Sequence, residues 1–281
     1  MECVRPILVK GNFVPCGKCP NCLANQRQEW IFRLRSEFLG CKFGLFVTMT
    51  YDDEHYPPSG TSKRDVQLFL KRIRKALGSR SLRYYIVSEY GDHTYRGHYH
   101  GLFFFYDTEE RKIVLNDSLF HTISDCWNNG FLKFGEIEEG SIVYCTKYCL
   151  KQSPTPSQYL KPFRLVSRSP GLGEWYINKY KDFHHDKLNL MRVTLPGVSS
   201  RMPRFFKTKI IKQFETFEVL KLVEDSYNQG LERNNKQYLA FLRLKGLEDS
   251  EDNWSKFVEH DRERKVRHAE LVKKHTKKQL F

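Results

Sequence analysis

Apolar positions along this chain follow two periods, one near two residues and one between three and four. Residues 45–51, a run of Leu, Phe, Val, Thr, Met and Tyr, predict a strand at the centre of a sheet. Residues 84–89 are β-branched and aromatic, Gly91-Asp92 offers a turn, and 97–106 follow as a second extended run. The two runs pair most simply as an antiparallel hairpin that sets Glu89 beside His98. In the second run Leu102 and Phe104 fall on one face and Phe103 and Phe105 on the other, as in a strand interior to its sheet. Helical spacing links Val66, Phe69, Leu70, Ile73 and Leu77, with Ser62 or Asp65 to cap the helix and Gly78 to close it. Asp117 starts another helix, with Leu119, Ile123 and Trp127 inward and Asn128-Asn129-Gly130 as its stop. A strand over 131–137 and a helix over 143–151 complete the series. This order predicts an α+β fold: an antiparallel sheet flanked by helices.

The ends of the chain are different in kind. Leu23, Trp30, Ile31, Leu34 and Phe38 predict a helix over 23–39 whose interleaved Arg27, Arg33 and Arg35 read as a solvated basic face in preference to a phosphate-contacting one. Residues 151–206 hold prolines at 154, 156, 162, 170, 196 and 203 and read as irregular. Their aromatics (Tyr159, Phe163, Trp175, Tyr176, Tyr180), interleaved with Arg and Lys, suit either a single-stranded nucleic acid or packing over a core. From 207 onward the chain is helix-prone and rich in charge of both signs, a helical appendage with a basic tail. Three regions are expected: 1–40, a cysteine-rich element and basic helix; 41–206, the main domain with a basic aromatic extension; and 207–281, the charged helices.

Charge narrows the partners. The chain carries 47 Lys and Arg against 33 Asp and Glu, a formal +14, which favours a polyanion, nucleic acid ahead of an anionic membrane surface. It has no run of 18 apolar residues and no secretory leader pattern, so a cytoplasmic, non-membrane protein is expected. Its eight cysteines are then thiols or metal ligands in preference to disulfides. Cys3, Cys16, Cys19 and Cys22 offer four thiolates to a structural Zn2+, with the tight Gly17-Lys18 loop between two of them. Thiols in a capping loop are the other reading.

The centre of the chemistry is His98-Tyr99-His100. Alternation in a strand puts both histidines on one face with Cα atoms roughly 7 Å apart. With Glu89 they offer two imidazoles and a carboxylate to a divalent ion with open positions. Tyr144 and Tyr148 lie one helical turn apart, and Lys147 and Lys151 each follow a tyrosine by three residues. A free phenol has a pKa of about 10, so a cation or a polarised target must help it attack at neutral pH.

Taken in order, Phe46-Val47-Thr48-Met49-Thr50-Tyr51, His98-Tyr99-His100 and Tyr144-x-x-Lys147-Tyr148 resemble the three motifs of the HUH endonucleases that start rolling-circle replication. The set is most similar to the initiators of Microviridae of the gokushovirus type. Val14-Pro15-Cys16-Gly17-Lys18-Cys19 with Cys22, residues 65–72 and Ser169-Pro170-Gly171-Leu172-Gly173 extend the likeness over roughly residues 1–206. The resemblance implies an RRM-like core and a transesterification at one phosphodiester of single-stranded origin DNA. Mg2+ or Mn2+ on Glu89, His98 and His100 would assist, and a tyrosine would form a 5′-phosphotyrosyl link and free a 3′-hydroxyl to prime a host polymerase. Tyr144 and Tyr148 both satisfy the motif, so their order of action stays open. No nucleotide-binding loop is visible, which leaves strand separation to a host helicase.

Overall fold

In the computed structural model the described residues are 3–9, 12–78, 82–91, 93–109, 112–147, 157–186, 192–196, 198–211 and 216–278. In chain order the elements are β1 (Ile7–Val9), β2 (Asn12–Val14), α1 (Pro20–Gly40), β3 (Phe43–Tyr51), α2 (Lys63–Leu77), β4 (Leu82–Tyr90), β5 (Gly97–Phe105), α3 (Asp117–Asp125) and β6 (Gly130–Glu136). There follow α4 (Glu139–Lys147), β7 (Arg164–Val166), α5 (Glu174–Asp186), β8 (Arg192–Leu195), β9 (Val198–Arg201), α6 (Arg204–Ile211), α7 (Thr216–Lys245) and α8 (Glu251–Lys278). Two compact units result: Glu29–Tyr180 with Val193–Ser200, and Met1–Gln28 with Lys181–Arg192 and Arg201–Phe281.

The first unit is built on a five-stranded antiparallel sheet in the order β6-β3-β5-β4-β7. The expected α+β sandwich is therefore present, with β5 interior as its two apolar faces require. β5, not β3, is the middle strand. One face packs Val47, Met49, Tyr99, Phe103 and Phe105 against Val66, Phe69, Leu70 and Ile73 of α2 and Leu119 and Ile123 of α3. The opposite face packs Tyr85, Val87, Leu102 and Phe104 against Ile31 and Leu34 of α1 and Ile142 and Cys145 of α4. Each such side chain taken out of water contributes about 1.5–3 kcal/mol, so strict alternation along β5 ties both helical layers to one strand.

Local chemistry explains the boundaries. Ser62 caps α2 by accepting the Asp65 N–H, and the helix buries all five apolar residues of its periodic stripe before Gly78 ends it. Asn116 caps α3, one residue earlier than expected, by accepting the Leu119 N–H. Gly130 opens β6 at φ +146°, a conformation that only glycine adopts easily, and a Cβ there would collide with the backbone of β3.

Three expectations need correction. Arg33 does not lie on a solvated face: it is 8% exposed, with its guanidinium 4.2 Å from the Trp30 ring centroid and its Nε donating to the Leu172 carbonyl at 3.0 Å. Phe38, expected inward, is 37% exposed, while Glu37 beside it is wholly buried. That carboxylate pairs with Arg83 at 2.8 Å, accepts the Gly173 N–H at 2.6 Å and accepts the Tyr106 hydroxyl. The stretch 151–206 is not irregular throughout, since its described part contains β7, α5, β8, β9 and the start of α6. In the second unit α7 and α8 form a hairpin turning at Gly246 around Tyr238, Phe241, Leu242 and Phe257. Among the described residues no helix is long and apolar enough to cross a membrane.

Candidate active site

The hairpin register sets Glu89 opposite His98 and Val87 opposite His100, so Glu89, His98 and His100 share one face of the sheet. His98 Nε2 lies 3.3 Å and His100 Nε2 3.4 Å from the same oxygen, Glu89 Oε2. One ligand atom from each of the three falls within 4.8 Å of the others. The site is mostly closed, with Glu89 9% and His100 8% exposed.

The outer ring nitrogens are held as a metal site requires. His98 Nδ1 sits 3.2 Å from the Arg96 carbonyl, which only accepts, so Nδ1 carries the proton and Nε2 turns its lone pair toward Glu89. His100 Nδ1 meets the Thr48 hydroxyl at 3.2 Å, and its ring stacks on Phe46 with centroids 5.7 Å apart. Burial pushes the His100 imidazole below its ordinary pKa, with the charge of His98 adding to that effect and Glu89 opposing it. A neutral imidazole is the form that ligates a metal. Two such rings and a carboxylate fit a divalent cation and leave coordination positions for an incoming oxygen.

Helix α4 brings the phenol. Ser141 closes its first turn by accepting the Glu138 N–H and donating to the Glu138 carbonyl, and Ile142 and Cys145 anchor it on the sheet. Arg35 of α1 pairs with Glu139 at its start. Tyr144, on the adjoining face, donates its hydroxyl to Glu89 Oε2 at 3.2 Å, and the same oxygen is 3.3 Å from His100 Nε2. Its ring stands edge-on to His100 and to Phe46. Lys147 Nζ lies 5.7 Å from the Tyr144 ring centroid, near enough for its charge to favour a phenolate. Tyr148 and Lys151 lie outside the described residues. Thr48 and Phe46 belong to the first motif without having been given a role. Only the cross-strand register Thr48 to His100 reveals theirs.

The cysteines of the N-terminal element also converge. The four sulfurs of Cys3, Cys16, Cys19 and Cys22 lie within 4.8 Å of one another, with Cys19 to Cys3 at 3.9 Å and Cys16 to Cys22 at 4.0 Å. A disulfide needs about 2.05 Å, whereas four thiolates around zinc at about 2.3 Å stand about 3.8 Å apart. The Cys16 N–H donates to Cys3 Sγ and the Cys19 N–H to Cys16 Sγ, each at 3.3 Å. Backbone N–H groups of Lys18 and Cys19 hold the Cys16 thiol down to about 6, while burial pushes Cys22 up to about 12. The donor set fits a tetrahedral soft-metal site.

A cationic groove of 930 Å³ runs along the β7 edge of the sheet, lined by Lys63, Arg74, Arg83, Arg164 and Arg168 and by no acidic residue. None of the triad lines it.

Residues 44–153, the stretch that contains β3, the triad and Tyr144, match the family model of the replication-associated protein ORF2. The chain is 29% identical to replication-associated protein VP4 of Bdellovibrio phage phiMH2K, over 74% of this chain and 76% of that protein. It is 26% identical to replication-associated protein ORF2 of Spiroplasma virus 4, over 72% and 69%. With replication-associated protein ORF4 of Chlamydia phage 1 the identity is 22%, over 71% of this chain and 54% of the other. No solved structure matches the chain.

Proposed function

We propose that this chain, which belongs to the replication-associated proteins of Microviridae-type phages, starts replication by cutting one strand of single-stranded origin DNA and holding the cut end on Tyr144. The observation that carries the reading is the approach of the Tyr144 oxygen to Glu89 Oε2 and His100 Nε2, at 3.2 and 3.3 Å. A nucleophile and a ligand set that close together can address one phosphorus.

A divalent ion such as Mg2+ or Mn2+ held by Glu89, His98 and His100 would supply Lewis-acid polarisation of a phosphate oxygen. The chain's own groups do the rest. Phe46 and His100 flank the Tyr144 ring and fix the direction from which its oxygen approaches. Lys147 lowers the cost of forming the phenolate, whose proton goes to solvent. As the Tyr144 oxygen bonds to phosphorus, the bond from phosphorus to the 3′-oxygen breaks and that oxygen takes up a proton. The products are a 5′-phosphotyrosine and a free 3′-hydroxyl, the primer for a host polymerase behind a host helicase. One phosphodiester replaces another, so the strand can be rejoined without an external energy source. Tyr148, one turn on, with Lys151 after it, would serve the second cut that closes the circle.

In the cytoplasm, the Cys3, Cys16, Cys19 and Cys22 cluster would hold a structural Zn2+ that anchors the N-terminal element. A binding module without catalysis has no use for a buried carboxylate shared by two imidazoles and a phenol. The test is incubation with labelled single-stranded origin DNA and Mn2+, followed by denaturing electrophoresis. A labelled band at the protein's position that is lost in EDTA supports the reading, and strand binding with no such band ends it.

A further inference from the structure

Strand β6 lies at the edge of the sheet, and its alternate residues serve two purposes. Leu132 and Phe134 turn into the core cluster with α2 and α3. Phe131 and Lys133 therefore project from the other face, the one that carries the triad. The register makes two rows across the sheet. Phe131 pairs with Thr50, which pairs with His98, which pairs with Glu89; Lys133 pairs with Thr48, which pairs with His100. With strands about 4.8 Å apart, Phe131 and Lys133 start two strands, roughly 10 Å, from the two histidines.

Phe131 is 69% exposed, and Lys133 beside it is exposed as well. The fold makes little use of the Phe131 ring, and an apolar ring on an edge strand is a liability that a charged side chain would avoid. What lies between it and the triad is short and polar, Thr48 and Thr50, so a path across the sheet from ring to triad is low. An aromatic face, a neighbouring cation and a floor of hydroxyls are what an unpaired nucleotide needs: a ring for the base and a positive charge for its phosphate.

We propose that Phe131 stacks on a base of the DNA strand flanking the phosphodiester addressed by Tyr144, and that Lys133 holds the phosphate of that nucleotide. Phe131 is thus a positioning residue that sets which bond reaches the triad, and this inference rests on the single-stranded DNA reading above. It deepens that reading by giving the strand a direction across the sheet, from β5 toward the β6 edge.

The experiment measures binding by fluorescence anisotropy in EDTA, with labelled oligothymidylate and an abasic strand of equal length and charge. Phe131→Ala weakens binding of oligothymidylate by about 5- to 150-fold and leaves the abasic strand within about two-fold. Phe131→Trp restores the preference for bases. Lys133→Ala weakens both strands alike and reduces the slope of log K against log salt by about 0.7. If Phe131→Ala weakens both strands equally, or neither, the inference is overturned. The catalytic reading fails separately. A base-dependent loss in Phe131→Ala together with no covalent adduct in Mn2+ leaves the stacking site standing and removes the chemistry, while an adduct with no Phe131 effect does the reverse. No binding of either strand overturns both.

Discussion

Removing the Glu37 carboxylate tests how the sheet holds its α1 layer. Glu37 is wholly buried and takes a charged hydrogen bond from Arg83 at 2.8 Å, the Gly173 N–H at 2.6 Å and the Tyr106 hydroxyl. Glu37→Ala leaves those three donors short of an acceptor, and Arg83 keeps only the carbonyls of Pro170 and Gly171. Each stranded donor costs about 1–3 kcal/mol, and breaking one side of a buried ion pair costs about 3–5 kcal/mol in all. At roughly 2–4 °C per kcal/mol for a chain of this size, a loss of about 4 kcal/mol lowers the melting midpoint by about 8–16 °C. Glu37→Gln keeps an acceptor for Gly173 and should lose far less. Burial pushes the Glu37 carboxyl above its usual range, against the pull of Arg83. A carboxyl raised on folding is stabilising when protonated. Wild type therefore gains stability relative to Glu37→Gln as pH falls through the raised folded value toward the unfolded value of about 4.3, and loses that gain as pH rises again. Urea titration followed by circular dichroism across that range reads both effects. A Glu37→Ala variant within about 1 kcal/mol of wild type, or a Gln variant as weak as Ala, would refute the reasoning.

Three further outcomes follow from the same geometry. The purified chain should carry about one zinc per molecule by elemental analysis, and Cys16→Ser or Cys22→Ser should abolish it, because a tetrahedral site missing one thiolate binds far more weakly. Thr48→Val removes the hydroxyl that holds His100 Nδ1 and should weaken Mn2+ binding by about 10- to 100-fold in calorimetry, with the melting midpoint nearly unchanged. Gly130→Ala forces a side chain into a φ of +146° and against the β3 backbone, so unfolding free energy should drop by at least about 1–3 kcal/mol in urea titration.

Much of the sheet was legible because its signals are local. Alternation puts His98 and His100 on one face, a short turn fixes Glu89 opposite His98, and the stripe from Val66 to Leu77 with its Ser62 cap specifies α2. Tyr144 could be picked out by its spacing on a helix, although what that phenol meets depends on residues 44 and 55 positions away in sequence. The misreadings share a cause. Arg33 and Glu37 look like the charged face of an amphipathic helix, but they find partners at Leu172, Arg83 and Gly173, which no local pattern announces. In 151–206 the prolines mask the start of α5, whose Tyr176 and Ile177 become buried only once the sheet exists to receive them. Phe131 was read simply as a strand residue. Its exposure on the triad's face appears only when β6 is paired with β3.

The account turns on whether the Tyr144 oxygen attacks the phosphodiester. The most direct measurement digests the protein after reaction with single-stranded origin DNA and Mn2+ and locates the nucleotide by mass spectrometry, with Tyr144→Phe run in parallel. The expected result is a nucleotide mass on the peptide containing Tyr144 and no initial cleavage by Tyr144→Phe. Cleavage by Tyr144→Phe at the wild-type rate, with the nucleotide on a different residue, would contradict it.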